Sequence, residues 1–295
     1  MRLISFLGEG GARVGAVRDD KVVDLAKVDP TIPTMMRELI AGGEAALSSA
    51  RKAASGGDAT VELAHVKLLP VVTDAAKIIC VGLNYADHAK EGGNAVPDYP
   101  ALFMRTNQSM IAADDPIVKP NCSNTLDYEA ELMLIIGKGG RHIAEADALN
   151  HVFGYSIFND GSVREYQRKA SQWTPGKNFD GTGPVGPWIV TADELPPGAA
   201  GLKIESRLNG QVMQRSNTSN MLVTVAGIIP LLSEVMTLEP GDMVAMGTPE
   251  GVGYARKPPV FMQPGDVVEV EIEQIGVLRN GIIAEDEARQ SEAAQ

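Results

Sequence analysis

Cysteine is scarce in this sequence, with only Cys80 and Cys122 among 295 residues. Two cysteines do not make a disulfide framework, so we expect a reducing compartment, the cytoplasm. Long hydrophobic runs are also lacking, and none approaches the ~20 residues that a membrane-spanning helix needs. The N-terminal "MRLISFLGEGG" is broken by glycine and lacks a small-residue cleavage signal. It therefore predicts a first strand of a soluble protein rather than a signal peptide.

Positive charge is in deficit, with 26 Lys and Arg against 38 Asp and Glu and a net charge of −12. This balance argues against a nucleic-acid partner, whose phosphates would be repelled. It does not argue against a small anionic substrate, because a metal or a local cation can reverse the sign of the charge inside a cleft. The segment "GEGGARVG" lacks the Lys-Ser/Thr ending of a phosphate loop, and "GTPEGVG" lacks a nucleophilic serine.

The sequence divides into two regions of different character. Residues 1–70 predict a small N-terminal α/β domain, in which "TMMRELIAGGEAALSSARKAA" forms one helix that is weakened or split at Gly42-Gly43. The proline-containing "HVKLLPVVTDAAK" has the composition of a linker. Residues 71–295 predict a larger domain that is mostly β, so the fold class is mainly β with some α (α+β).

Six β-like runs support this assignment of the larger domain, and helical patterns are few. The predicted strands are "ELMLIIG", "VFGYSIFND", "WIVTA", "LKIESRLNG", "DMVAMGT" and "VVEVEIEQIG". The predicted helices are "NYADHAKEG", part of 161–171 and "MLVTVAGIIPLLSEVMT". The segments "LEPGDMVAMGT" and "MQPGDVVEVEI" both place Pro-Gly-Asp before a strand, which indicates either successive turns of a β-roll or only shared turn chemistry.

Two carboxylates enter a strand that is otherwise apolar. In "DYEAELMLIIG", Glu129 and Glu131 lie two residues apart and point to the same side of a strand, just before an unbroken apolar run. They are either a solvated strand end or a buried pair, and a buried unpaired carboxylate costs several kcal/mol. A hard divalent cation would remove that cost. A third strand-end carboxylate, Asp160, could complete a site for Mg²⁺, with Mn²⁺ as an alternative.

Other side chains could act beside such a metal. His88 and Glu91 lie three apart on one helical turn and could activate water or move a proton, or they could be an ordinary surface pair. Lys177 lies in a segment rich in Gly and Pro, where it could neutralise a substrate charge or be an exposed loop lysine. The remaining candidates are Thr248, which could bind a carboxylate or cap a strand, and Arg164 and Gln167, which could reach back toward the metal.

The chain resembles the fumarylacetoacetate hydrolase family. The matching segments occur in family order across roughly residues 77–282 and are "VGLNYADHAKE", "DYEAEL", "GYSIFND" with "REYQ", "GKNFDGTGPVGPW", "RLNGQVMQ" and "GDMVAMGTPEGVG". The resemblance implies the β-rich roll of this family, a homodimer, and an N-terminal domain like that of bacterial members. It implies that Glu129, Glu131 and Asp160 bind a metal, normally Mg²⁺, with Mn²⁺ or Ca²⁺ as alternatives.

The resemblance also implies roles for the other candidates. His88 and Glu91 match a water-activating pair on a lid segment. Lys177 matches a position that holds the carboxylate and keto groups of the substrate, and we predict that it is also catalytic because it would offset the charge of the enolate. Arg164, Gln167 and Thr248 match positions that bind the carboxylate and keto groups of the substrate. Relatives often have "FxKxxxS", where this chain has "FMRTNQS", so that Arg105 stands in place of the lysine and is predicted to bind substrate with a different geometry.

The predicted function follows from that resemblance. We predict a metal-dependent hydrolase that cleaves a C–C bond in a 1,3-diketo acid, of the acylpyruvate or fumarylacetoacetate type, through a metal-stabilised enolate. The alternative is a decarboxylase or isomerase of oxaloacetate or of the hydroxymuconate-type diacids of aromatic catabolism. A third reading is a non-catalytic, metal-dependent ligand-binding protein on the same scaffold.

Overall fold

Strands supply most of the regular structure of the protein. The computed structural model describes residues 1–59, 61–93 and 95–293. In these ranges the strands are β1 (Arg2–Gly8), β2 (Gly11–Arg18), β3 (Lys21–Asp24), β4 (Val61–Glu62), β5 (Leu68–Leu69), β6 (Ile78–Gly82), β7 (Ala101–Arg105), β8 (Met110–Ile111), β9 (Ile117–Lys119), β10 (Leu126–Asp127), β11 (Ala130–Ile136), β12 (Val152–Asn159), β13 (Ser162–Val163), β14 (Gly183–Thr191), β15 (Lys203–Leu208), β16 (Gln211–Asn217), β17 (Met243–Ala245), β18 (Val267–Ile272) and β19 (Gly276–Ala284). The helices are α1 (Leu25–Val28), α2 (Met36–Ala41), α3 (Gly43–Gly56), α4 (Ala86–Glu91), α5 (Arg164–Gln167), α6 (Thr174–Lys177), α7 (Val225–Val235) and α8 (Glu285–Ala293). The predicted α+β class, mainly β, is confirmed.

One large sheet runs through both regions that the sequence distinguishes. Its main path has the order β4-β3-β2-β1-β14-β12-β11-β17-β6-β7. Strand β1 pairs antiparallel with β14, so the strands of residues 1–70 continue the sheet of the larger region. A buried cluster also contains residues from both regions, including Leu3 and Leu39 together with Met133 and Ile189. The two regions therefore share a sheet and a core.

A second sheet packs over part of the first. Its order is β16-β15-β18-β19-β9, and its apolar residues join the same cluster as residues of the large sheet and of α7. Leu134 and Ile157 come from the large sheet, Ile204 and Val270 from the second sheet, and Ile228 from α7; all five are buried. This burial explains why β11 and β12 read as nearly continuous apolar runs.

The predicted elements are largely confirmed. Each of the six predicted strands is present, and the helix predicted between residues 34 and 54 is split, with α2 ending at Ala41 and α3 beginning at Gly43. Both Pro-Gly-Asp turns have the same chemistry, since Asp242 and Asp266 accept the amide hydrogen of the residue three positions before them. The strands that follow these turns, however, lie in different sheets.

Strand pairing brings distant acidic residues together where strands of the large sheet begin and end. Strands β11 and β12 are antiparallel, and Ala130 lies opposite Asn159. Glu129 therefore lies beside Asp160, whose amide donates to the Glu129 carbonyl oxygen at 3.0 Å. On the other side of β11, strand β17 leads directly to Gly247 and Thr248. The start of β11, the end of β12 and the end of β17 thus meet at one point.

Candidate active site

Three carboxylates converge at this meeting point of the strands. Ligand atoms of Glu129, Glu131 and Asp160 all lie within 4.8 Å of one another, and all three residues are buried. Glu131 Oε2 also accepts the amide hydrogen of Gly247 at 2.9 Å. Gly247 has φ +86°, and a Cβ there would lie 2.7 Å from the Val81 carbonyl oxygen, so this close approach requires glycine. The predicted convergence of the three acidic side chains is therefore present.

Lys177 and Arg164 pair with the triad from the cavity side. Lys177 Nζ lies 2.7 Å from Glu129 Oε2 and 2.6 Å from Asp160 Oδ2. Arg164 Nη1 lies 2.6 Å from Glu129 Oε1. Lys177 is only 2% exposed, so it is not the exposed loop lysine that the sequence left as an alternative.

Arg105 approaches the triad from behind. Its Nη1 donates to Asp160 Oδ1 at 2.6 Å, and its other nitrogens donate to the hydroxyls of Ser109 and Thr182. Its side chain is fully buried, and Arg105 is not among the residues that line the cavity in front of the carboxylates. The guanidinium therefore orients Asp160 from behind. This role differs from the substrate contact that the sequence predicts for Arg105.

The pKa values show how unevenly the charge is distributed. Burial alone would raise the pKa of Glu129, but the positive charges of Lys177 and Arg164 lower it to about 2. Burial and the negative charges of Asp160 and Glu129 raise the pKa of Glu131 well above its ordinary value. Burial would lower the pKa of Lys177, but Asp160 and Glu129 raise it, so the amine stays protonated. Glu131 is thus the member of the triad whose charge lacks compensation.

The donor set fits a hard divalent cation. The buried carboxylates at this centre are Asp127, Glu129, Glu131 and Asp160, and the buried cations are Arg105, Arg164 and Lys177. With all of them ionised, four negative charges face three positive charges, which leaves one uncompensated negative charge. Oxygen-only donors and surplus negative charge are what Mg²⁺, Mn²⁺ and Ca²⁺ require. Glu129, Glu131 and Asp160 would hold such an ion.

The His88–Glu91 pair is formed and lies over the same centre. Helix α4 carries both residues, and His88 Nδ1 lies 2.9 Å from Glu91 Oε1. Glu91 Oε2 in turn accepts the amide hydrogen of Gly251 at 2.9 Å, which ties α4 to the loop after β17. His88 is 7% exposed, so the alternative of a surface histidine does not hold. Because the carboxylate faces Nδ1, neutral His88 carries its proton there and leaves Nε2 as a base.

A cavity of about 320 Å³ connects these groups. Its lining includes the three carboxylates and His88, Arg164, Gln167, Lys177 and Thr248. Phe103 and Trp173 form an apolar wall, with their rings edge to face at 5.5 Å. Thr248 Oγ1 accepts a hydrogen bond from Gln214, so its own hydroxyl hydrogen can be donated into the cavity. The residues predicted for this site line the cavity together, except for Glu91 and Arg105, which lie behind the lining residues.

Several residues that organise the site were not singled out from the sequence. Asp127 accepts from Arg164 Nε and from the amides of Gly253 and Tyr254, and Gln214 joins the second sheet to Ala130 and Thr248. Arg168 and Tyr254 line the cavity. Asp127 and Gln214 lie inside the motifs "DYEAEL" and "RLNGQVMQ", which was the available signal, whereas nothing in the sequence distinguished Arg168 or Tyr254.

Comparison with known proteins identifies the family to which the chain is similar. The family model described as fumarylacetoacetate (FAA) hydrolase C-terminal matches residues 77–283. A mitochondrial oxaloacetate tautomerase of Xenopus laevis is 40% identical over 289 residues, which covers 96% of this chain and 90% of that protein. Among the described residues, no helix is both long and apolar enough to cross a membrane.

Solved structures agree with this assignment. A fumarylacetoacetate hydrolase from psychrophilic Exiguobacterium antarcticum has a TM-score of 0.80 and 38% identity, covering 97% of this chain and all of the other. Maleylpyruvate hydrolase from Sphingobium sp. SYK-6, solved in complex with manganese(II) ion and pyruvate, has a TM-score of 0.79 and 34% identity, covering 96% of this chain and 99% of the other. The family match, the overall fold and the assembled acidic centre lead to one conclusion: the chain belongs to the fumarylacetoacetate hydrolase family.

Proposed function

We propose that this protein is a metal-dependent tautomerase that interconverts the enol and keto forms of oxaloacetate or a closely related 2-oxo acid. The similarity to an oxaloacetate tautomerase over 96% of the chain favours this reaction over the C–C hydrolysis predicted from the family resemblance. The isomerase alternative raised by the sequence thus becomes the leading proposal, and the hydrolase becomes the second.

The observation that carries the proposal is the placement of a base and a metal-binding centre at one cavity. His88 lines the cavity that also exposes atoms of Glu129, Glu131 and Asp160. The cavity of about 320 Å³ has room for a small organic acid. A proton transfer next to a polarised carbonyl requires these two components and no leaving group.

The residues of the chain perform the proton transfer. A divalent cation in the triad would polarise the carbonyl oxygens of the 2-oxo acid, acting as a Lewis acid and template. His88 Nε2 accepts the proton of the enol hydroxyl and delivers a proton to the adjacent carbon, so reactant and product have the same formula. Glu91 holds the imidazole in the tautomer that leaves Nε2 free. Lys177 and Gln167 face the same cavity, where they offset negative charge that develops on the substrate oxygens.

The test follows the ultraviolet absorbance of enol oxaloacetate in the presence of Mg²⁺ or Mn²⁺. We expect the protein to accelerate its decay well beyond that caused by the free metal ion, with loss of the acceleration in chelator. Product analysis by mass spectrometry should show an unchanged molecular mass. A rate equal to that of metal and buffer alone would contradict the proposal.

The second candidate is hydrolysis of a C–C bond in an acylpyruvate. The same His88–Glu91 pair could activate a water molecule, and the similarity to a maleylpyruvate hydrolase favours this chemistry. Incubation with acylpyruvates, including maleylpyruvate, and mass spectrometry of the products distinguishes the reactions. Two fragments that together contain one added water indicate hydrolysis, and loss of CO₂ indicates decarboxylation. Absence of all three reactions would favour the non-catalytic ligand-binding reading.

The assembly, location and origin of the protein remain predictions. A homodimer is expected from the resemblance, and sedimentation of the purified protein would test it. A cytoplasmic location is expected from the low cysteine content, whereas the Xenopus relative is named as mitochondrial. The assignment to a bacterial member likewise remains a prediction, and so does a small-molecule 2-oxo or diketo acid as the substrate.

A further inference from the structure

Two arginines share one aromatic ring at the cavity. Arg164 begins α5 and Arg168 follows its last residue, four positions later. Their guanidinium carbons lie 4.5 Å and 4.4 Å from the centroid of the Tyr254 ring. All three residues line the cavity that contains the carboxylate triad. Two positive charges therefore lie against the same aromatic ring at one place in the cavity wall.

Arg164 has an unused donor in this cluster. Its Nε donates to Asp127 at 2.8 Å, and its Nη1 contacts Glu129 and Gln167. Its Nη2 is buried and has no hydrogen-bond partner among the described residues, although the residue is only 4% exposed. A buried guanidinium nitrogen without a partner is costly, so a ligand that accepts its hydrogens would relieve a standing penalty.

Arg168 has no carboxylate partner among the described residues. Elsewhere in the structure Arg207, for comparison, contacts three of them: Glu205, Glu269 and Glu271. Arg164 is paired with Asp127 and Glu129, but Arg168 places a second positive charge beside it that has no carboxylate of its own in the described part of the chain, and the two like charges repel each other. Stacking on the ring offsets part of this cost, because a guanidinium is attracted to the face of an aromatic ring. The remaining positive charge faces the cavity.

Asp127 holds this arrangement in place from behind. Its Oδ2 accepts from Arg164 Nε at 2.8 Å and from the Tyr254 amide at 3.0 Å, and its Oδ1 accepts from the Gly253 amide at 2.8 Å. A Cβ at Gly253 would lie 2.5 Å from Asp127 Oδ1, so the loop can approach only with glycine there. The arginine and the ring are thus oriented by one buried carboxylate before any ligand arrives.

We propose that Arg168, Tyr254 and the free Nη2 of Arg164 form a second anion subsite, which binds the carboxylate at the far end of the substrate. This inference rests on the proposed function and specifies its substrate class: dicarboxylic 2-oxo acids, one end of which faces the triad while the other faces the two guanidinium groups. Arg168 is then a specificity residue that distinguishes a diacid from the corresponding monoacid. Planar guanidinium groups suit this task because they bind carboxylates through two parallel hydrogen bonds.

The test measures binding without turnover. 3,3-Difluorooxaloacetate cannot form an enol, and its 4-methyl ester lacks only the distal charge. Calorimetry with the Mg²⁺-loaded wild-type protein should show tighter binding of the diacid than of the ester. Arg168→Gln should weaken diacid binding about 10- to 100-fold, the loss typical of a charged hydrogen bond, and leave ester binding nearly unchanged.

Lys169→Gln is the matched control for Arg168→Gln. Lys169 is exposed, carries the same charge one position away, and stacks on Tyr166 rather than lining the cavity. Its replacement should change neither Kd. Tyr254→Phe keeps the ring and should retain the diacid preference, whereas Tyr254→Leu removes the platform and should reduce it.

Three results would overturn the subsite. The first is that Arg168→Gln weakens diacid and ester binding equally, and the second is that it weakens neither. The third is that Lys169→Gln weakens diacid binding as much as Arg168→Gln does, which would indicate only long-range electrostatics. Failure of the proposed function has a different signature. A wild-type protein that binds the diacid through Arg168 but does not accelerate enol decay retains the subsite and loses the tautomerase assignment.

Discussion

The two sides of the cavity are built differently. The inner wall consists of Glu129, Glu131, Asp160 and Lys177, which lie at the ends of long strands or are fully buried beside them. The outer rim consists of His88 on the short helix α4, Arg168 directly after α5, and Tyr254 on the loop after β17, with Glu91 supporting His88 from behind. The inner wall is buried and densely paired, whereas the rim includes the exposed Arg168, which has no acidic partner among the residues that the structure describes.

Under the proposed function, this difference separates two tasks within one site, metal binding and substrate selection. A metal centre needs ligands held within a few tenths of an ångström, and strand ends in a packed sheet provide that precision. Substrate selection tolerates variation, and short helices and loops can change without disturbing the sheet. We therefore expect replacements in the inner wall to remove activity on every substrate, and replacements in the rim to change rate or preference.

The largest effect is expected for Glu131→Gln in the inner wall. The change removes a proposed metal ligand and the surplus negative charge, so Mg²⁺ affinity should fall by at least the 10- to 100-fold seen when only a supporting group around a metal is removed. Titration calorimetry with Mg²⁺ and the enol assay would measure both effects. Glu271→Gln, at a half-exposed ion pair of the second sheet, is the control. Wild-type Mg²⁺ affinity in Glu131→Gln would remove Glu131 from the ligand set.

The next largest effect is expected for His88→Gln in the outer rim. Loss of the base should reduce kcat about 10²- to 10⁴-fold, because general acid–base catalysis usually contributes that much. Mg²⁺ affinity should stay near the wild-type value, which separates this variant from Glu131→Gln. His65→Gln, at an exposed position, controls for the loss of an imidazole. If His88→Gln retained the wild-type kcat, the proton transfer would have to be assigned to another group.

A smaller effect is expected for Arg105→Lys, which lies behind the inner wall. The lysine keeps the charge but cannot contact Asp160, Ser109 and Thr182 together, as the guanidinium does. Mg²⁺ affinity should fall by up to about 10- to 100-fold, while KM measured at saturating Mg²⁺ stays nearly constant. The opposite pattern, a raised KM with unchanged Mg²⁺ affinity, would support the substrate-binding role predicted from the sequence.

How far the sequence predicts this site depends on the range of the contacts. The apolar run of β11 and the carboxylates beside it are local features, so the strand and the acidic pair could be predicted from "DYEAELMLIIG". The approach of Arg105 to Asp160 joins residues 55 positions apart. The sequence showed a cation there but not the side from which it approaches. Gln214 reaches Ala130 from the second sheet, a contact that requires knowledge of how the two sheets stack.

Sequence periodicity also cannot predict which exposed residues, such as Arg168, line the cavity. An exposed arginine after a short helix looks the same whether it faces water or a cavity, and only the position of Tyr254 distinguishes the two. Tyr254 is brought there by the backbone contacts of Gly253 and Tyr254 with Asp127, which join residues 126 and 127 positions apart. The carboxylates of the inner wall and the His88–Glu91 pair are thus more predictable than Arg168 and Tyr254, because strand patterning and helical spacing are local signals and the contacts of the loop after β17 are not.

The smallest expected effect concerns the stability of the metal-free protein and its dependence on pH. The pKa of Glu131 is raised by burial and by its acidic neighbours above the ordinary value of 4.5, so between 4.5 and the raised value the folded state binds more protons than the unfolded state. Stability contributed by protonated Glu131 is therefore complete below pH 4.5 and is lost as the pH rises through the folded pKa.

The Glu131→Gln variant has no such titration, and the amide oxygen of the new side chain can still accept from Gly247. In chelator, its Tm should match that of the wild type near pH 4.5 and exceed it by a few degrees at pH 8. Added Mg²⁺ should reverse the order at pH 8, because only the wild type gains binding energy from the ion; Tm curves that stay parallel at all pH values would show that Glu131 carries no uncompensated charge.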